Sequence, residues 1–458
     1  MQVLWGAGGM LAILAIAFAL STDRRAIRPR TILAALAIQI GIGVVVLYWE
    51  HGERALLALA NGVEVGVGSA NEGIDFLFGP ILPDNEMVFA FQVLPIIVFI
   101  ASVTAVLYHW NILQWVVRIV GGALRLVLGT SRPESMAATA NVVLGQTESP
   151  LVVRPYLARM SRSEFFAVMV CGLSTVAGTV LVGYSMLGAR MEYLLAAAFM
   201  AAPAGLLMAK IIVPEPRGVA PEQSERSGSE VLVPAGVGGD SETADRVGSG
   251  TGRAGERSAP VSGGAGSGGD EGGDDGPLDD APDNGGGKHR NVIDAAAGGA
   301  SEGLKLALNI GAMLLAFISL IALLNMLLGT IGGLFGVPDL SFQQILGYVF
   351  APVMSVIGVP WEEAVSAGSY LGQKIVLNEF VAFAEFAPNA AEFSDKTVTI
   401  TTFALTGFAN FGSLAILLGG LGSLVPHRRP EIAQLGVRAI LAGTLANLLS
   451  ATIAGVLV

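Results

Sequence analysis

Asn141-Val-Val-Leu-Gly-Gln-Thr-Glu-Ser-Pro150 sets amides, a hydroxyl and a carboxylate inside an otherwise apolar chain. Gly372-Gln-Lys-Ile-Val-Leu-Asn-Glu-Phe-Val-Ala-Phe383 does the same with Lys374, Asn378 and Glu379. A lone carboxylate in hydrocarbon is costly, so these groups must line a cavity or pair with one another. Non-helical backbone at that depth is tolerated under the same condition. Each segment is followed by an apolar run broken by small and polar residues: Gly172-Leu-Ser-Thr-Val-Ala-Gly178 after the first, Gly407-Phe-Ala-Asn-Phe-Gly-Ser413 after the second. Matched interruptions in the two halves are the pattern of an inverted-repeat transport core with its binding site near the membrane midplane.

Composition decides which solvent the rest of the chain must satisfy. Of 458 residues, 53% are hydrophobic and 14% charged, and the mean hydropathy is +0.64. Water-soluble domains rarely combine these values. The apolar residues come in runs of about 20, the length that crosses a bilayer as helix. The net charge of −11 is concentrated: residues 214–290 carry 15 acidic and 7 basic side chains, which is −8 of the total. No basic patch interleaved with aromatics is present, so nucleic acid is not an expected partner. The single cysteine, Cys171, excludes an internal disulfide, and the four histidines (His51, His109, His289, His427) have no ligand spacing.

Along the chain, residues 3–20 precede Arg24, Arg25, Arg28 and Arg30 and read as a retained span whose amino terminus is outside. Residues 31–48 return outward, and 50–86 suggest amphipathic pieces along the surface. Residues 87–128 predict one long tilted helix with an interfacial lead-in, and 133–157 a re-entrant segment. Residues 165–187 and 193–213 are two spans joined by a short turn. Residues 214–290 are rich in Gly, Ser, Asp and Pro, lack an apolar period, and predict a disordered acidic cytoplasmic loop. Residues 304–335 form a long span, 342–359 a shorter apolar piece and 368–386 a second interrupted segment; 398–425 and 435–458 complete the chain. The expected fold is an all-α polytopic membrane protein with eight transmembrane helices and two re-entrant helical hairpins. Its units are an N-terminal scaffold (1–128), a first hairpin and broken-helix half (129–213), the loop (214–290), and a scaffold helix with the second hairpin and broken-helix half (291–458). The basic residues Arg132, Arg154, Arg159, Arg162, Lys210, Arg217 and His427–Arg429 then fall on one side. This orientation leaves both termini outside a multi-pass cell inner membrane.

Three strings also resemble a family: GQTESPLVVRPYL (145–157), GQKIVLNEFVAF (372–383) and ALTGFANFGSLAI (404–416) look like signatures of the concentrative nucleoside transporters. The resemblance covers nearly the whole chain outside residues 214–290, which read as an insertion. It implies a homotrimer in the lipid bilayer that imports a nucleoside by cation symport. By the resemblance, Gln146, Thr147 and Glu148 face the nucleobase, Glu379, Asn410 and Ser413 hold the ribose hydroxyls, and Phe408 packs nearby. A carboxylate accepting from vicinal hydroxyls and an amide that donates and accepts are suitable chemistry. The family's sodium site maps onto Asn141, the Leu144 carbonyl, Thr175 and the Val176 carbonyl, an all-oxygen set suited to a hard cation.

Each assignment has a structural competitor. Glu148 and Glu379 can be neutralised by Arg154 and Lys374, with Lys374 serving as a partner for carboxylates. Asn141 and Asn410 can cap broken helices, Thr175 can bond back to its own helix, and Phe408 can simply pack. Among functions, a proton-coupled carrier using Glu148 or Glu379 stands beside the sodium-coupled one, which Asn141 and Thr175 favour. An intramembrane enzyme lacks a nucleophile with its base or a metal cluster. A channel has no need of two gated hairpins. Purine against pyrimidine preference stays open.

Overall fold

Polar and glycine punctuation between apolar runs cuts the chain into helices whose breaks matter more than their number. The computed structural model describes residues 2–83, 88–216 and 290–458. The expected disordered loop therefore lies, apart from its first three residues and its last, outside the described residues. The described residues contain helices and no strands.

α1 (Gln2–Ala19) and α2 (Pro29–Gly43, prolonged by a π-helical turn at Val44–Tyr48) flank the arginine-rich turn. Pro29 opens α2, where its missing N–H leaves no helical bond unmade. α3 is one continuous helix (Glu50–Phe78) in place of the expected pieces, and its buried Leu56, Ala60, Val67, Ala70 and Ile74 lie on one face. The single long helix expected over 87–128 is not formed. The chain makes α4 (Phe89–His109) and α5 (Ile112–Leu128), separated at Asn111, whose φ of 61° is left-handed. Asparagine is among the few side chains that tolerate this conformation, and the polar His109–Asn111 step gives no apolar reason to continue the helix. α5 is strongly amphipathic: Leu113, Val117, Gly121, Leu124 and Leu128 form its buried stripe.

Next come α6 (Arg132–Ala140), the one-turn helices α7 (Ser149–Val152) and α8 (Arg154–Leu157), α9 (Arg162–Ser174), α10 (Gly178–Met186) and α11 (Met191–Ile212). After the undescribed segment follow α12 (Val292–Leu334), α13 (Phe342–Val356), α14 (Trp361–Val376), α15 (Glu379–Phe386), α16 (Asp395–Leu405), α17 (Phe411–Leu424) and α18 (Arg429–Leu457). Among the described residues, six helical stretches are long and apolar enough to cross a membrane. The pair α13–α14, bent by 117°, forms a seventh if it counts as one span.

Burial sorts these elements into a centre and a rim. In the most apolar windows of α9–α10, α11 and α18, 94%, 83% and 83% of residues are buried, against 17% each in α2, α4 and α12. α18 packs against α9, α11 and α16, so the last helix is the central post of both broken helices. α12 exposes Leu308, Leu315 and Leu327, as a lipid-facing or subunit-facing helix does, and packs closely on α4. That contact depends on Gly299 and Gly303: a Cβ on either would come within 3.0 Å of α4 backbone at Ala101 and Ser102 or at Val98.

Polar anchors hold the base of the first interrupted segment. Glu134, in the first turn of α6, forms a buried ion pair with Lys210 near the end of α11. Lys210 also donates to Ser163 Oγ at 3.1 Å and reaches Glu215 at 3.3 Å. Arg428 donates to the carbonyls of Leu157 (3.0 Å) and Met160 (2.8 Å), with its guanidinium 4.0 Å above the Phe165 ring.

Candidate functional site

The two helix breaks expected from Gly172–Gly178 and Gly407–Ser413 are present, and they touch. α9 ends at Ser174, Thr175 is extended (φ −106°, ψ 172°), and α10 restarts at Gly178. α16 ends at Leu405, and α17 restarts after Asn410. The backbone N–H of Phe408 donates to the Thr175 carbonyl at 3.2 Å, binding one break to the other.

Asn447 of α18 completes the join. Its Nδ2 donates to the Ser174 carbonyl at 2.7 Å and to the Thr406 carbonyl at 2.8 Å, one at the end of each broken helix. Such terminal carbonyls lack a helical partner and need one when buried. The Oδ1 of Asn447 accepts from Lys374 Nζ at 3.1 Å, and Lys374 also donates to the Ala404 carbonyl at 3.2 Å. Lys374 thus hydrogen-bonds an amide and a carbonyl oxygen instead of the carboxylates expected of it. Asn447 is not among the site residues expected from the sequence, although a lone amide in Leu445-Ala-Asn-Leu-Leu449 is a signal of the same kind as Asn141 and Asn410.

In the first interrupted segment, Asn141 is fully buried at the end of α6. Its Nδ2 donates to the Ala137 carbonyl at 2.9 Å, and its Oδ1 accepts from Ser149 Oγ at 2.6 Å. That oxygen lies 3.9 Å from where a Cβ on Gly172 would stand, so it faces the last turn of α9. Gln146 packs there too, its Cβ 3.4 Å from the same point and its Oε1 buried without a hydrogen-bond partner among the described residues. The Val143 carbonyl accepts from the Gly178 N–H at 3.2 Å. Thr175 Oγ1 donates back to the Cys171 carbonyl at 2.8 Å. Among the described residues, no hydrogen bond ends on the carbonyl oxygens of Leu144 or Val176. Asn141 and Gln146 thus face the last turn of α9, and the Val143 carbonyl ties the first interrupted segment to the first break, where Thr175 and Val176 lie.

Thr147 and Glu148 are exposed. Thr147 approaches α17 at Gly420, 3.2 Å from the position of a Cβ there, and Glu148 Oε2 accepts from the Gly145 N–H at 3.4 Å. The ion pair of Glu148 with Arg154 is not formed among the described residues.

In the second segment α14 ends at Val376, Leu377 leaves the helical region, and Asn378 caps α15 by accepting from the Val381 N–H at 2.9 Å. This cap places Glu379, 6% exposed, in the first turn of α15, where the helix dipole favours a negative charge. Asn410 caps α17 by accepting from the Ser413 N–H at 2.7 Å and donates from Nδ2 to Glu379 Oε2 at 2.7 Å. Two helix N-termini, a carboxylate and an amide thus converge with Ser413 beside them. Phe408 is half-buried at the same break. Tyr184 of α10 stacks on Phe383 with centroids 4.4 Å apart and meets Phe380 edge-on at 4.9 Å, closing the apolar side.

Models of the Na+ dependent nucleoside transporter N-terminus and C-terminus match residues 8–81 and 270–455, and one described as nucleoside recognition (Gate) matches 90–191. The uncharacterized transporter YutK of Bacillus subtilis is 48% identical, over 100% of both chains. The nucleoside permease NupC of Helicobacter pylori is 40% identical, over 98% of this chain and 96% of its own. This chain belongs to the nucleoside transporter family. The solved structure of CNTnw in an inward-facing substrate-bound state superposes with a TM-score of 0.82 at 43% identity, covering 100% of this chain and 98% of that one. Family membership makes the protein a multi-pass membrane transporter and not an enzyme, and its apolar helices are long enough to cross a membrane.

The oxygens at the first break fit the sodium ion named in the family's description. All are neutral; two are backbone carbonyls with no competing hydrogen bond among the described residues, and Asn141, held by Ala137 at Nδ2, turns Oδ1 toward α9 with a lone pair left beside the Ser149 bond.

Proposed function

We propose that the protein imports nucleosides across the bacterial inner membrane by symport with a cation, sodium in preference to a proton. The observation that carries this reading is the 2.7 Å bond from Asn410 Nδ2 to Glu379 Oε2 at the meeting of two helix N-termini. Glu379 retains acceptor capacity for two vicinal hydroxyls, Asn410 orients its carboxylate, and Ser413 adds a hydroxyl. Gln146, Thr147 and Glu148 supply the nucleobase side, with the unpartnered Gln146 Oε1 free to accept from a base. Phe408 packs against the sugar or base and, through its N–H, ties the substrate side to the Thr175 side.

Asn141, the Leu144 carbonyl, Thr175 and the Val176 carbonyl hold the coupling ion. A bound sodium would supply a fixed positive charge that stabilises the extended backbone at the first break. The residues around it do the rest: Ser149 and Ala137 orient Asn141, and Asn447 keeps both breaks in register. Residues 133–157 and the α14–α15 segment act as two re-entrant hairpins that close over the nucleoside from opposite sides. The eight spanning units are α1, α2, α4, α9–α10, α11, α12, α16–α17 and α18. Both termini lie outside, and three protomers assemble through the rim helices.

Purified protein in proteoliposomes is expected to accumulate radiolabelled uridine when an inward sodium gradient is imposed. Accumulation under an inward proton gradient alone moves the coupling to the proton, and none under either gradient overturns the reading.

A further inference from the structure

The two broken helices end alike. Thr175 follows the last residue of α9 and donates its Oγ1 to the Cys171 carbonyl at 2.8 Å; Thr406 follows the last residue of α16 and donates to the Thr402 carbonyl at 2.7 Å. Both threonines are 1% exposed. Asn447 bonds the two ends with the same amide nitrogen. One side chain from an interrupted segment reaches each end. In the first half Asn141, at the end of α6, turns its Oδ1 to the last turn of α9. In the second half Lys374, in the last turn of α14, places Nζ 3.2 Å from the Ala404 carbonyl in the last turn of α16.

The carbonyl end of a helix is the negative end of its dipole and favours a cation. In the first half the groups at that end are neutral oxygens. In the second half the corresponding place is taken by an amino group attached to the chain. Lys374 is 0% exposed, and among the described residues it forms no ion pair; its acceptors are the Ala404 carbonyl and Asn447 Oδ1. Two oxygens beside a helix C-terminus, the Ala404 carbonyl and Asn447 Oδ1, are what a cation finds at such an end. A residue needed only to fill this volume would be leucine or methionine, since burying a lysine without an ion pair is costly.

We propose that the ammonium of Lys374 is the built-in monovalent cation of the second half, so that the end of α16 is a cation site closed to exchange while its counterpart at α9 stays open. The inference rests on the reading that the α9 end takes a small monovalent cation. It follows that this pair of related sites exchanges one cation per transport cycle. It also follows that truncating Lys374 opens a second site, lined by the Ala404 carbonyl, Asn447 Oδ1 and Thr406, for sodium, ammonium or methylammonium.

The test compares wild type, Asn141→Ala, Lys374→Ala, Lys374→Met and the Asn141→Ala/Lys374→Ala double variant, purified full-length in detergent. Thermal unfolding is followed in choline, sodium, ammonium and methylammonium chloride at equal ionic strength. Lys374→Ala is expected to unfold below wild type in choline and to regain about 3 °C or more in ammonium or methylammonium, with or without Asn141. Asn141→Ala, with the α9 end impaired and Lys374 in place, gains nothing from ammonium or methylammonium over choline. Lys374→Met fills the volume and gains no more than wild type from any cation. A Tm of Lys374→Ala that is equal in all four salts overturns the proposal, as does a Lys374→Met that responds like Lys374→Ala. Where Lys374→Ala is too unstable to purify in choline, monodisperse yield after solubilisation in each salt is read instead; equal yields overturn the proposal. A wild type indifferent to sodium removes the α9 reading separately, and the comparison of Lys374 variants still decides the rest.

Discussion

Asn447 occupies the space that a side chain on Gly407 would need: a Cβ there would collide with both amide heteroatoms of Asn447. The absence of a side chain at the second break is thus what allows α18 to hold both breaks. Gly407→Ala displaces Asn447 from the Ser174 and Thr406 carbonyls and from Lys374, and is expected to cost about 3 kcal/mol of stability. Gly419→Ala, in α17 with no atom within 4 Å of the new Cβ, is the control and should be neutral to within about 0.5 kcal/mol. Unfolding in detergent measures both; equal stability of the two variants removes the constraint.

Much of this arrangement was legible in the sequence because the membrane makes polar residues conspicuous. Glu379, Asn410 and Asn141 stood out as charges and amides where hydrocarbon was expected, and both helix breaks fell where small and polar residues interrupt apolar runs. Two features were not legible. His109 and Asn111 visibly interrupt the apolar run, but that the interruption ends α4 and starts α5 depends on the left-handed backbone of Asn111, which hydropathy does not register. The role of Asn447 depends on tertiary pairing, since its sequence neighbours form an ordinary apolar helix and its partners lie at Ser174, Lys374 and Thr406. Competing structural roles also proved compatible with proximity to the site. Thr175 does bond back to its helix and Asn410 does cap α17, yet each also lies against the other break or against Glu379.

Glu379→Gln keeps the shape of the side chain and an acceptor for Asn410 Nδ2, so its effect isolates the charge. Hydrogen bonds to a charged group contribute about 1.5–3 kcal/mol. Uridine affinity is accordingly expected to fall by roughly 10- to 150-fold. Affinity for 2′,3′-dideoxyuridine, which lacks the vicinal hydroxyls, should change little, so the ratio between the two ligands collapses. Equilibrium binding of both to purified protein is the measurement, and unchanged uridine affinity takes Glu379 out of the ribose site.

Asn141→Ala removes an oxygen aimed at α9 and leaves the Ser149 hydroxyl without its acceptor. Sodium for half-maximal uridine uptake is expected to rise at least about tenfold, which is 1.4 kcal/mol of binding. Thr175→Val should have a smaller effect in the same direction, because Thr175 Oγ1 already donates to Cys171 and contributes only a remaining lone pair. Sodium dependence identical to wild type in both variants excludes this ligand set.

The buried pair of Glu134 and Lys210 fastens the base of α6 to α11, and its removal separates anchoring from substrate chemistry. Glu134→Ala leaves Lys210 with Glu215 and Ser163 in a site that was desolvated for an ion pair, and is expected to cost about 3–5 kcal/mol. Replacing both partners at once, Glu134→Leu with Lys210→Met, removes the uncompensated charge and restores apolar contact, so the double variant should recover most of that loss. Uridine affinity in the double variant should stay near wild type, because neither residue touches Glu379, Asn410 or the first break. A double variant as unstable as Glu134→Ala would mean that the pair fixes the geometry of α6 through its hydrogen bonds. Uridine affinity would then fall along with Tm, since Asn141 lies at the far end of the same helix.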